Sequence, residues 1–208
     1  MRQDDERGGP SAPLPPFHDD LVAAQAELWR LLADGVAHGR SPFHTPSLAT
    51  VDGQGRPRAR TVVLRMVDAE AGLLRFHCDR RSDKAAELAR HASCALHAYD
   101  RQAKVQIRIE GRASLHTFDA TAEAAWAGSR AMSRVCYGID PRPGTGLAAG
   151  GAYAVPDEAE APTVGRPNFC AVAVEAEALD FLYLDRRGHR RAAWRRERDG
   201  WTGTWLVP

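Results

Sequence analysis

Cysteine is scarce in this 208-residue chain, and its four copies (Cys78, Cys94, Cys136 and Cys170) are widely spaced. No CxxC pair occurs, so the spacing offers neither a disulfide framework nor the ligand set of a structural zinc. Reduced thiols in a cytoplasmic protein are the expectation. No apolar run approaches a membrane-spanning helix, and the N-terminus lacks the apolar core of a signal peptide. A soluble protein without a membrane partner is therefore expected. Charge of one sign is missing too. Lys and Arg number 28 against 27 Asp and Glu, for a net charge of +1. That balance gives no electrostatic footprint for nucleic acid. The Walker, G-x-S-x-G and H-E-x-x-H signatures are absent, and the eight histidines show no paired spacing, so no metal site is expected. Gly144-Thr145-Gly146-Leu147-Ala148-Ala149 fits a dinucleotide fingerprint on paper. It follows Pro141-Arg142-Pro143 rather than a strand, so it reads as loop.

What is present is apolar patterning. Hydrophobic residues make up 44% of the chain, enough for a sizeable core. Residues 1–16 are rich in Pro, Gly and charge and read as a disordered tail, leaving 17–208 as one domain. Asp19 or Asp20 caps a predicted helix that runs to about His38, with Leu21, Leu28, Leu32 and Val36 on one stripe. Strands are predicted over Ser47–Asp52, Arg58–Val67, Leu73–Cys78 and Cys94–Tyr99. A helix is predicted over Asp83–Ala92, with Ala85, Leu88, Ala89 and Ala92 inward. Lys104–Ser114 has the clearest alternation: Val105, Ile107 and Ile109 point one way, Gln106, Arg108 and Glu110 the other. An alanine-rich helix follows over Phe118–Arg130. Residues 138–168 hold many Gly and Pro and read as a long loop. Phe169–Leu184 returns to strand, and Arg190–Arg198 pairs with Trp201–Val207 across Asp199-Gly200. Consecutive antiparallel strands with inserted helices predict a mainly β, α+β fold built on a β-barrel.

Several clusters carry candidate chemistry. Ser82 is placed to cap the helix at Asp83, with Arg80, Arg81 and Lys84 around it. Free amides, the helix dipole and basic side chains make a phosphate site. A solvated helix start, neutralised by Asp79 and Asp83, fits the same residues. In a regular strand Arg60 and Arg65 face opposite ways, so both reach one ligand only if the chain bulges or turns. Gln106 is either a solvent-facing amide or a donor and acceptor for a heterocycle edge. Arg187, His189 and Arg191 share one side of an extended segment, either as a basic edge or gathered on an anion. Trp126 and Arg130 lie one helical turn apart, either as core tryptophan and surface arginine or as an aromatic wall beside an anion-binding guanidinium.

In order and spacing these segments resemble the pyridoxamine 5'-phosphate oxidase family, whose members bind FMN on a split β-barrel. Arg60-Thr61-Val62-Val63-Leu64-Arg65 is similar to the family's R-x-V-L-L-K strand. Phe76-His77-Cys78 is similar to its next strand end, Ser82-Asp83-Lys84 to its S-R-K phosphate turn, and Val105-Gln106-Ile107-Arg108-Ile109-Glu110-Gly111 to its R-Q-V-x-V-x-G strand. The resemblance implies that Arg60, Ser82 and Lys84 hold the FMN phosphate. It also implies that Thr61, Val62, Val63, Arg65, His77, Cys78 and Gln106 line the flavin, with Arg191 a further contact. Arg65, Trp126, Arg130, Arg187 and His189 would orient a small, possibly phosphorylated substrate. FMN would sit at a homodimer interface and carry the redox chemistry, with no protein residue acting as a strong base. An NAD(P)H-dependent flavin reductase, or a non-catalytic flavin or haem carrier with His189 or His97 as axial ligand, would use the same fold. Departures concentrate on the substrate side. Asp83 stands where the family has a second phosphate-binding arginine, which Arg80 or Arg81 would replace, and Arg65 stands for a lysine. These features place the chain nearer the family's FMN-binding branch with a D-x-R-S-x-K turn than the vitamin B6 oxidase itself.

Overall fold

The computed structural model describes residues 13–208; the tail expected over 1–16 lies, for residues 1–12, outside the described residues. The elements follow in the order α1 (Leu21–Ala37), β1 (Ser47–Val51), β2 (Pro57–Thr61), β3 (Leu64–Asp68), β4 (Leu73–Asp79), α2 (Asp83–Arg90), β5 (Ser93–Asp100), β6 (Val105–His116), α3 (Ala120–Ala127), α4 (Ala131–Val135), α5 (Ala161–Gly165), β7 (Phe169–Tyr183), β8 (Arg190–Glu197) and β9 (Gly200–Leu206). Among the described residues no helix is long and apolar enough to cross a membrane.

Every strand pairing is antiparallel, in the order β2-β1-β5-β6-β7-β4-β3, with β8 and β9 added beside β7. The first and last strands of that path, β2 and β3, are consecutive in the chain. Only Val62 and Val63 separate them, so the sheet curls round on itself without closing. The split follows from β7. Its first half pairs with β4, its second half with β8, and β6 runs along its other edge throughout. The alternation read in β6 holds: Val105, Ile107 and Ile109 are each 1% exposed. Burial of that kind is worth about 1.5–3 kcal/mol per side chain. The β6–β7 register shifts between Glu110 and Gly111. There a Cβ on Gly111 would lie 2.2 Å from the Glu175 carbonyl oxygen, so only glycine lets the two backbones approach this closely.

Helix α1 starts at Asp20, whose carboxylate accepts from the amides of Val22 and Ala23 (2.8 and 3.0 Å), and buries Leu28 and Leu32 as the stripe predicts. Four local readings need correction. The strand expected over Arg58–Val67 is two strands, β2 pairing with β1 and β3 with β4, with Val62 and Val63 between them. The helix expected over Phe118–Arg130 ends at Ala127, and a new turn begins after Arg130. In α2, Ala89 is exposed and Glu87 is buried instead. The final hairpin turns on Arg198-Asp199; Gly200, with φ +130°, already pairs with Glu197.

Candidate functional site

The start of α2 faces a cleft lined by cations, and the Ser82 side chain does not cap it as expected. Ser82 occupies the N-cap position, but no side chain caps the first turn. Its hydroxyl donates to the Asp79 carbonyl (2.6 Å), which fixes the turn and leaves the first helical amides without a side-chain acceptor. A cleft of about 480 Å³ opens in front of them, lined by Arg58, Ala59, Arg60, Ser82, Lys84 and Gly144, among others. The cations are therefore Arg58, Arg60 and Lys84. Arg81 is turned away, bound to the Asp79 carboxylate (2.6 Å) and the Ile139 carbonyl (2.9 Å), and Arg80 lies over the Phe118 ring. Neither offsets Asp83, which also lines the cleft.

Arg60 is held from behind by residues that sequence reasoning missed. Its guanidinium contacts the Thr50 hydroxyl and the buried Glu87 carboxylate (2.6 Å), and Thr50 donates to the same Glu87 oxygen (2.6 Å). Inward alternation in β1 marks Thr50 as buried. Nothing local marks Glu87, whose charge is tolerable inside because Arg60 (2.6 Å) and Arg58 (3.9 Å) meet it.

A second cavity, of about 200 Å³, lies between β3, β4 and the α3–α4 segment. Arg65, Arg75, His77, Arg130, Ser133 and Tyr137 are among its lining residues. The turn at Val62–Val63 thus sends Arg60 and Arg65 into different cavities. Arg75 and His77 share one face of β4, because strand side chains alternate. The His77 ring packs edge-on against Phe169 and its Nε2 has no partner. Burial first, then the charges of Arg75 and Arg65, push its pKa down to about 4. His77 is therefore neutral near pH 7. Between pH 6.5 and 4 the unfolded chain binds a proton that the folded one refuses, so stability falls as pH drops through that window. The difference amounts to about 2–3 kcal/mol by pH 4.5. Urea unfolding of His77→Gln should lose that part of the acid dependence; an unchanged dependence would contradict a neutral His77.

Cys78 stands opposite Cys170 on β7, and both are buried. The neighbouring Cys170 thiol, and then burial, push the Cys78 pKa well up, so it stays a protonated thiol near neutral pH. Val62 is buried, Val63 half-buried and Thr61 exposed at the strand break. Trp126 packs against Phe169 and Tyr137. The helix break means that Arg134, not Arg130, lies over its ring (5.1 Å). Arg130 instead caps α4 by position and lines the second cavity.

The remaining predicted residues gather elsewhere. Gln106, Leu182 and Arg191 form one row across β6, β7 and β8, so Gln106 and Arg191 share a sheet face. The Gln106 amide oxygen lies 3.2 Å from His97 Nε2, and Arg191 holds Asp180 (2.8 Å) together with Arg108 (2.7 Å). Arg187 and His189 precede β8 in a turn containing Gly188, whose φ of +125° breaks the extended segment expected there. Arg187 pairs with Asp185 (2.8 Å). His189 Nδ1 accepts from the Asp185 amide (3.2 Å). A cavity of about 220 Å³ beside Arg108, Asp180 and Arg191 shares no lining residue with the other two.

Comparison with known proteins gives this arrangement its context. A family model described as pyridoxamine 5'-phosphate oxidase, FMN-binding domain, matches residues 26–117. A pyridoxine/pyridoxamine 5'-phosphate oxidase of Gluconobacter oxydans is 32% identical over 199 residues, covering 90% of this chain and 98% of that protein. One from Arabidopsis thaliana is 28% identical over 170 residues, covering 75% and 83%. Among solved structures, a pyridoxamine 5'-phosphate oxidase-related, FMN-binding protein of Nostoc punctiforme superposes with a TM-score of 0.67 at 26% identity, over 94% of this chain and all of that one. PhzG of Burkholderia lata superposes with a TM-score of 0.72 at 23% identity, over 96% and 100%, and shows the shared fold.

Proposed function

The chain belongs to the pyridoxamine 5'-phosphate oxidase family of FMN-binding proteins, and on that footing we propose that it is a homodimeric FMN-dependent oxidoreductase acting on a small phosphorylated substrate. The observation that carries the reading is the uncapped start of α2 facing Arg58, Arg60 and Lys84. Backbone amides, a helix N-terminus and three cations fit the terminal phosphate of FMN. The Glu87–Thr50 brace keeps Arg60 ordered before any ligand arrives. FMN, when bound there, would supply the redox chemistry as hydride acceptor.

The protein's part is binding and orientation. Arg65, Arg130 and the Ser133 hydroxyl offer donors to an anionic substrate group in the second cavity. Neutral His77 adds a hydrogen-bonding ring without a competing charge. Gln106 and Arg191, in their common row, and Arg187 with His189 would complete the site from a second copy of the chain. Three cavities that share no lining residue in one chain support that assignment.

The test is anaerobic addition of pyridoxamine 5'-phosphate to the FMN-loaded protein. Bleaching of the flavin band, reversed by air, is expected. Bleaching by NAD(P)H alone would replace the oxidase reading with a flavin reductase, and bleaching by neither would leave a flavin carrier.

A further inference from the structure

The arginines at the other candidate sites are already paired: Arg58 and Arg60 with Glu87, Arg187 with Asp185, and Arg108 and Arg191 with Asp180. The second cavity differs. It is lined by Arg65, Arg75 and Arg130, and none of its lining residues is a carboxylate. Among the described residues none of these three guanidiniums makes an ion pair. Arg75 is the most committed of them. It is set in β4 between the buried Leu74 and Phe76, and its Nε is buried without an acceptor. A buried donor without an acceptor costs about 1–3 kcal/mol, and three like charges around about 200 Å³ repel one another as well. An anion entering the cavity would relieve both costs. The hydroxyls of Ser133 and Tyr137 add neutral donors to the same wall.

We infer that Arg75 is a third anion-binding residue of this cavity, and that with Arg65 and Arg130 it selects a doubly charged phosphate monoester end over a singly charged carboxylate. The inference rests on reading the cavity as the substrate end of the proposed site. A carboxylate would leave two of the three positive charges uncompensated, whereas a phosphate dianion leaves one. A phosphate also has enough oxygens for more than one guanidinium fork. The small volume fits the charged end of a ligand and not a whole cofactor. Sequence reading passes over Arg75, because a single basic residue inside an apolar strand announces nothing until the fold places two more beside it.

Calorimetric titration at pH 8 and low salt tests this, with inorganic phosphate and acetate as probes and Arg75→Met and Arg75→Lys as variants. The Arg58→Ala/Lys84→Ala background weakens the other phosphate cleft by removing two of its three cations. Wild-type residue 75 should bind phosphate at least tenfold more tightly than acetate. Arg75→Met should weaken phosphate at least tenfold, Arg75→Lys by less, and acetate should change little. Phosphate should also raise the NMR titration midpoint of His77, and raise it less in Arg75→Met. Phosphate bound by Arg75→Met within twofold of the parent, or acetate bound as tightly as phosphate, would overturn the inference. The titration needs no flavin, so a chain that fails to retain FMN would sink the proposed function and leave this result readable.

Discussion

Lys84→Ala should weaken FMN binding by about 10- to 100-fold while moving the melting temperature by less than about 2 °C. A charge-assisted hydrogen bond to phosphate contributes about 1.5–3 kcal/mol, and each 1.4 kcal/mol is tenfold in affinity. Lys84 lines the cleft at the α2 start and makes no ion pair among the described residues, so its removal strands no partner. Arg60 is the wrong residue for the same purpose. Its loss breaks the 2.6 Å pair with the buried Glu87 and leaves only Arg58, at 3.9 Å, beside that carboxylate, so a loss of fold stability would confuse the two effects. Fluorescence quenching of FMN on titration with protein measures the change. FMN bound equally well by Lys84→Ala would move the phosphate away from α2.

The second large effect concerns the dimer. A chain carrying Arg58→Ala and Lys84→Ala keeps the Gln106–Arg191 row intact. A chain carrying Gln106→Ala and Arg191→Ala keeps the phosphate cleft, and Asp180 in that chain retains Arg108. Each homodimer should hold little FMN. In a tagged heterodimer the two-fold arrangement gives one fully mutated and one fully intact site, so about one FMN per two chains should be recovered. Heterodimers as empty as the homodimers would mean that the row serves its own chain's flavin, and the shared-site geometry would fall.

How much of this was legible in the sequence depends on the range of the forces involved. The β6 strand could be read because its alternation is local and strong, and α1 because Asp20 and the leucine stripe agree. The helix over Phe118–Arg130 was half right. Its alanines favour helix, but Gly128 is its C-cap and the chain re-enters a helix only after Arg130. The strand break at Val62–Val63 has no local punctuation at all. It arises because β2 and β3 belong to opposite ends of the sheet path. That break resolves the opposed directions of Arg60 and Arg65, which periodicity posed and could not settle. The Ser82 hydroxyl is at the expected helix start but bonds backward to Asp79, which no propensity distinguishes from a cap. Glu87, Thr50 and Arg75 were missed because each acquires its role from a residue far away in sequence. Arg80 and Arg81 were over-read, since short-range charge clustering does not reveal that Asp79 and Phe118 claim them.

The most direct test of the central claim, that the α2 start holds the phosphate of FMN, is a visible absorption spectrum after loading and desalting, with FMN and riboflavin in parallel. The two flavins share the ring and differ at the phosphate. Retention of the flavin band with FMN, and its loss with riboflavin, is the predicted result. Equal retention of both, or of neither, would contradict it.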